Sequence, residues 1–204
     1  MLFRSQVAPF HVMELLARAK ALEATGRSIV HMEIGEPDFP TAQPICDAGI
    51  RAIQDGRHFY TPALGIPELR AAISGFYRTR YRVEVPASRI IVTSGASGAL
   101  LLAIGVLIGA GDEALMADPG YPCNRNFVRM MGGVPAEVPV GAESAYQLLP
   151  EMVERHWNAR TRAVIVASPS NPTGTLMPQD SLRAITGIAN ERRSEEHTSE
   201  LQSH

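Results

Sequence analysis

The chain has 204 residues, of which 45 % are hydrophobic and 20 % charged, enough to bury one substantial core in an ordinary globular protein. Its formal net charge of −2 supplies no attraction toward nucleic acid or an anionic membrane. The longest apolar stretch, Ala99 to Ala110, is interrupted by Gly105 and Gly109 and falls short of the ~20 residues of a membrane helix, while the opening MLFRSQVAPFHVMELL lacks the apolar run of a signal peptide, so a cytoplasmic protein is expected.

Val12, Leu15, Leu16, Ala19 and Leu22 recur at helical spacing, with Gly26 as a stop. A second helix is predicted from Pro44 through Ile50 and Ile53 to Gly56, and a third after Pro67 with Leu69, Ala72, Ile73 and Phe76 on one face. From there β-branched runs alternate with helical ones. Strands are predicted at residues 90–93, 114–117, 134–140 and 163–167, and helices at 97–108, 122–131, 150–157 and 179–190. Val164, Ile165 and Val166 are apolar on both faces, as in a parallel sheet covered on both sides. The pattern predicts an α/β fold, a three-layer sandwich around a mostly parallel sheet with right-handed crossovers.

Several local patterns carry chemistry. Gly95-Ala96-Ser97 follows the run Ile90–Thr93 and opens an apolar helix; small residues at a helix N-terminus let main-chain N–H groups approach an anion. Asp118-Pro119-Gly120-Tyr121-Pro122 follows the next strand, where ligands of open α/β sheets sit, and holds an aromatic ring able to stack on a planar heterocycle. Ser168-Pro169-Ser170-Asn171-Pro172-Thr173-Gly174 is a stiff loop that aims the Asn171 amide, a donor that can leave a phenolate anionic. Earlier come Gly35-Glu36-Pro37-Asp38-Phe39 and the stretch from Tyr60 to Arg70, YTPALGIPELR. Cys46 and Cys123 form no CxxC pair and read as free thiols. His11, His31, His58 and His156 lack metal-ligand spacing, so no metal is expected. No GxGxxG follows any strand, which speaks against a dinucleotide enzyme.

GEPDF, YTPALGIPELR, VTSGAS, DPGYP and SPSNPTG, in this order and with these gaps, resemble class I/II aminotransferases of the fold-type-I pyridoxal phosphate superfamily, over residues 10 to 192. The resemblance implies a fold-type-I large domain, incomplete here, and transfer of an amino group between an amino acid and a 2-keto acid. It also implies pyridoxal 5'-phosphate as cofactor. Gly95, Ala96 and Ser97 fall where the family binds the cofactor phosphate, Tyr121 where an aromatic stacks on the pyridine ring, and Asn171 where an asparagine meets the phenolic oxygen. Tyr60 matches a tyrosine reaching the neighbouring subunit's phosphate, which implies a homodimer. Gly35 matches a glycine whose loop touches the substrate carboxylate. Residues 1–34 are expected to form an N-terminal arm and the start of a small domain, and residues 35–192 part of the large cofactor-binding domain.

The Schiff-base lysine, the aspartate at the pyridine nitrogen and the arginine for the substrate carboxylate lie beyond SPSNPTG in the family. Lys20 is the only lysine among the 19 basic residues, and it precedes every motif. Residues 193–204 have no hydrophobic period and resemble a translated sequencing adapter, so a non-native tail on an N-terminal fragment is expected, inactive by itself. Two alternatives share the cofactor cradle: a carbon–sulfur lyase, and a non-catalytic cofactor- or effector-binding domain of the kind fused to a DNA-binding module. About thirty residues precede GEPDF, too few for such a module.

Overall fold

Prolines set where several helices begin. In the computed structural model, which describes residue 7 and residues 9–192, the helices are α1 (His11–Glu23), α2 (Gln43–Gln54), α3 (Pro67–Tyr81), α4 (Gly95–Leu107), α5 (Pro122–Met130), α6 (Pro150–His156) and α7 (Gln179–Glu191). Pro44, Pro67, Pro122 and Pro150 sit in the first turns of α2, α3, α5 and α6, where the missing N–H costs no hydrogen bond and φ is already helical. The strands are β1 (Glu113–Asp118), β2 (Val134–Pro139) and β3 (Thr161–Ile165). Every expected helix is present. The expected non-native tail, residues 193–204, lies outside the described residues.

The chain divides into two compact units. The unit Phe10–Thr93 carries α1, α2 and α3, and none of these helices fully buries a residue. Polar contacts tie α3 to the segment that follows it. Arg70 Nε donates to the Ile90 carbonyl at 2.8 Å and Ser74 Oγ to the Val85 carbonyl at 2.6 Å. One strand expected from the sequence is corrected here. Residues 90–93 run outside any sheet among the described residues, although Ile90 is extended, with φ −106° and ψ 127°. The local conformation is right for a strand, but the Val92 N–H bonds the carbonyl of Leu64, in a turn far back in the chain, at 3.0 Å rather than a neighbouring strand.

The other unit, residues 94–192, is built on a parallel sheet of order β2-β1-β3. Central β1 pairs with β2 from Glu113↔Val134 to Asp118↔Pro139, and with β3 from Glu113↔Thr161 to Met116↔Ile165, with an irregularity at Glu113/Ala114. Being central, β1 is buried on both faces along Glu113, Ala114, Leu115 and Met116. Side chains alternate across a strand, and the two cores follow that alternation. Leu115 packs with Val138, Leu148, Val153 and Ile185 on one face, which α6 and α7 cover. Ala114 and Met116 pack with Ile104, Ile108, Val128 and Ala163 on the other, which α4 and α5 cover. Two helical layers thus enclose the sheet in the three-layer arrangement expected. The buried Glu113 carboxylate is paired with Arg160 and accepts from Asn158 Nδ2 at 2.6 Å, as a buried charge requires.

Strand order decides where a ligand can enter. The chain leaves β1 through α5 on one face to reach β2, then returns through α6 on the opposite face to β3, on the far side of β1. The connections after β1 and β3 therefore depart toward opposite faces, which opens a crevice at the carboxyl ends of these strands.

Candidate functional site

That crevice is lined at its floor by Met116 and Ala117 of β1 and by Ile165, Val166 and Ala167 at the end of β3. Its walls come from the two loops the sequence singled out, through Gly120 and Tyr121 on one side and Ser170 and Asn171 on the other. Leu100 brings α4 to the same cleft. The first turn of α4 approaches it through Ser97, whose Oγ lies 3.4 Å from the Tyr121 hydroxyl. Gly95 opens α4 at φ +78°, and an added Cβ would meet nothing within 4 Å. Glycine is thus needed there for conformation rather than for space. The Ser94 side chain makes no capping hydrogen bond to this helix.

The Tyr121 phenol is held above its ordinary value of 10, first by the Cys123 thiol beside it and then by burial, against a lowering contact from Ser97. At neutral pH the ring is therefore uncharged, which suits stacking and does not repel an anion. Arg125 of α5 pairs with Glu137 of β2 at 2.6 Å and reaches Asp118 at 3.6 Å. The start of α5, which carries Tyr121 as its N-cap, is thereby clamped over the end of β1.

Ser97, Tyr121 and Asn171 come together in this unit, with Gly95 and Ala96 in the same helical turn as Ser97. Tyr60 and Gly35 belong to the unit Phe10–Thr93. Tyr60 is fully exposed there and Gly35 lies on an exposed loop. Asn124 and Gln147 are among the cleft residues that the sequence reading did not single out. Asn124 follows Tyr121 by one helical turn and lines the cleft, and its Oδ1 is buried with no hydrogen-bond partner among the described residues. The i, i+3 spacing from Tyr121 was the signal for it. Gln147 also lines the cleft, and no local motif marks it. Among the described residues no group of three His, Cys, Asp or Glu side chains is placed to hold a metal, and no helix is long and apolar enough to cross a membrane.

Residues 27–194 match the family model described as aminotransferase class I and II. The chain is 40 % identical over 171 residues to a (5-formylfuran-3-yl)methyl phosphate transaminase of Methanocaldococcus jannaschii, covering 84 % of this chain and 44 % of the relative. It is 37 % identical over 182 residues to a valine–pyruvate aminotransferase of Mycobacterium tuberculosis, covering 89 % and 47 %. Among solved structures it is similar to an aspartate aminotransferase from Thermus thermophilus with maleate, at a TM-score of 0.90 and 33 % identity, covering 95 % of this chain and 51 % of that one. The chain spans about half the length of the relatives it matches.

Proposed function

The chain belongs to the aminotransferase class I and II family, whose members depend on pyridoxal phosphate, and from that premise we propose that the full-length protein moves an amino group between an amino acid and a 2-keto acid. The observation supporting this is the meeting of Tyr121 and Asn171 in one cleft at the carboxyl ends of β1 and β3, with Ser97 against Tyr121.

The residues present fit the cofactor. Gly95, at φ +78°, lets the chain turn directly into α4, whose first-turn N–H groups form the kind of helix N-terminus that meets an anion. The unpartnered Asn124 Oδ1 is a buried acceptor costing roughly 1–3 kcal/mol, and it favours a polar occupant over an apolar one. In this reading the main-chain N–H groups of Gly95, Ala96 and Ser97, with the Ser97 hydroxyl, hold the phosphate. The Tyr121 ring stacks on the heterocycle. The Asn171 amide donates to the phenolic oxygen and keeps it anionic. When bound, the cofactor supplies an electron sink for chemistry at the amino acid α-carbon.

The fully exposed Tyr60 is proposed to reach the phosphate in a second copy, making the protein a homodimer, and the Gly35 loop to meet the substrate carboxylate. Residues 35–192 are read as part of the large cofactor-binding domain, preceded in residues 1–34 by an arm and the start of a small domain, in a cytoplasmic enzyme. Lys20, exposed on α1, is assigned no role in catalysis. Because it is the only lysine, the 204-residue chain alone is expected to transfer no amino group.

Asn171→Ala in the full-length protein should weaken pyridoxal phosphate binding about tenfold to a hundredfold, as loss of a hydrogen bond to a charged group implies. Absorbance of the bound cofactor and release of 2-keto acid from an added amino acid read the effect. Wild-type protein that takes up no pyridoxal phosphate would sink the proposal.

A further inference from the structure

Gln147 is delivered into the cleft by a backbone that residues with side chains avoid. Ala145 and Tyr146 are consecutive left-handed residues, at φ 51° and 56°. They are held by bonds from the Tyr146 N–H to the Gly141 carbonyl at 2.8 Å and from the Gln147 N–H to the Ser144 carbonyl at 3.0 Å. Such conformations persist where the surrounding structure over-determines them, and they cluster at functional sites. The outcome is a polar side chain only 4 % exposed that lines the cleft.

Its amide has partners of one kind. Nε2 donates to the Thr175 carbonyl at 2.8 Å, to Thr175 Oγ1 at 3.2 Å and, at a longer 3.4 Å, to the Ala167 carbonyl. Two carbonyls and a hydroxyl around one atom assign the nitrogen to that side. Ala167 and Thr175 flank the loop of residues 168–174 that carries Asn171. The loop closes on the same point, since the Ser170 N–H also donates to the Thr175 carbonyl at 2.9 Å, and Gly174 N–H to the Ser170 carbonyl at 2.7 Å. Gln147, from a distant part of the chain, thus pins both ends of the loop together.

We propose that Gln147 is a positioning residue for Asn171, fixing the amide of Asn171 toward the cofactor by tying the ends of the 168–174 loop. This rests on the functional reading above, in which Asn171 donates to the phenolic oxygen. A donor lost from an anionic oxygen raises the pH at which that oxygen's chromophore changes.

The test uses full-length protein loaded with pyridoxal phosphate and follows cofactor absorbance against pH in wild type, Asn171→Ala, Gln147→Met, the double variant and Thr175→Val. Gln147→Met keeps length and bulk and removes the donor. It should raise the midpoint by about half a unit or more, in the direction of Asn171→Ala. The double variant should move no further than Asn171→Ala alone, since the two act through one hydrogen bond. Thr175→Val, which removes one of the three acceptors, should produce a smaller rise and carries the test if Gln147→Met does not fold. A midpoint at the wild-type value in Gln147→Met, or in Thr175→Val where that variant carries the test, while Asn171→Ala moves it, overturns the inference. Wild type without bound cofactor, or Asn171→Ala with an unmoved midpoint, overturns the functional reading and the inference with it.

Discussion

His31 sits between two carboxylates, with Nδ1 2.6 Å from Glu33 and Nε2 2.9 Å from Glu23. The hydrogen bond to Glu33, then that to Glu23, holds the imidazole above its ordinary 6.5, and the same bond to His31 holds Glu33 below its ordinary 4.5. The signs follow from which form each partner favours. The His31 contribution to stability is complete below pH 6.5 and is lost as pH rises through its higher folded midpoint. The Glu33 contribution is present above 4.5 and is lost as pH falls through its lower one. All three groups are solvent-accessible, so the effect on stability is small. A histidine NMR titration should place the His31 midpoint above 6.5, and Glu33→Gln should return it toward that value. An unmoved midpoint in Glu33→Gln would mean the pairing is absent in solution. Glu23 and His31 lie eight residues apart, a spacing with no meaning until the chain beyond α1 has turned back on it.

At the scale of elements, residues 90–93 are the instructive case. Their β-branched composition predicts a strand, and the backbone at Ile90 is extended as that composition asks. Pairing, however, needs a neighbour, and here the segment is held by Arg70 from α3 and by the turn at Leu64. Gly65 makes that turn possible. It holds φ +94°, and an added Cβ would stand 2.7 Å from Val92 Cγ2. Gly65→Ala therefore combines left-handed strain with a clash and should destabilise by about 2–4 kcal/mol. Urea denaturation of the full-length protein measures it. Gly65→Ala combined with Val92→Ala should lose less than the sum of the two, because the second change removes the atom the first one strikes. Strict additivity would show that the contact does not matter.

For the molecule as a whole, the distribution of buried surface is uneven. Residues 94–192 hold two clusters of buried apolar side chains around β1. In the unit Phe10–Thr93, Ile45, Ile53 and Phe59 are 64 %, 72 % and 81 % exposed. Even the apolar helix α4 leaves Val106 77 % exposed. Apolar surface of this extent marks an interface or an aggregation liability. Purified residues 1–192 are accordingly expected to bind the dye ANS strongly, to be poorly soluble and to melt broadly. A sharp, cooperative melt without dye binding would contradict this. Hydrogen exchange should find its slowest amides in β1, the strand covered on both faces.

Much of this protein was legible from residues close together in the chain. Helix starts at Pro44, Pro67, Pro122 and Pro150, the doubly apolar strands and the loops bearing Tyr121 and Asn171 rest on local spacing and turn chemistry, which neighbours in sequence settle among themselves. Family membership followed from the same short motifs. Only the tertiary structure decided that residues 90–93 stay outside the sheet, that Asn124 lines the cleft with its Oδ1 buried and unpartnered among the described residues, and that Gln147 ties the Asn171 loop. The partners of Gln147 lie 20 and 28 residues further along the chain. A buried amide must find its acceptors wherever folding brings them within bonding distance, and no local pattern records which distant carbonyls those will be.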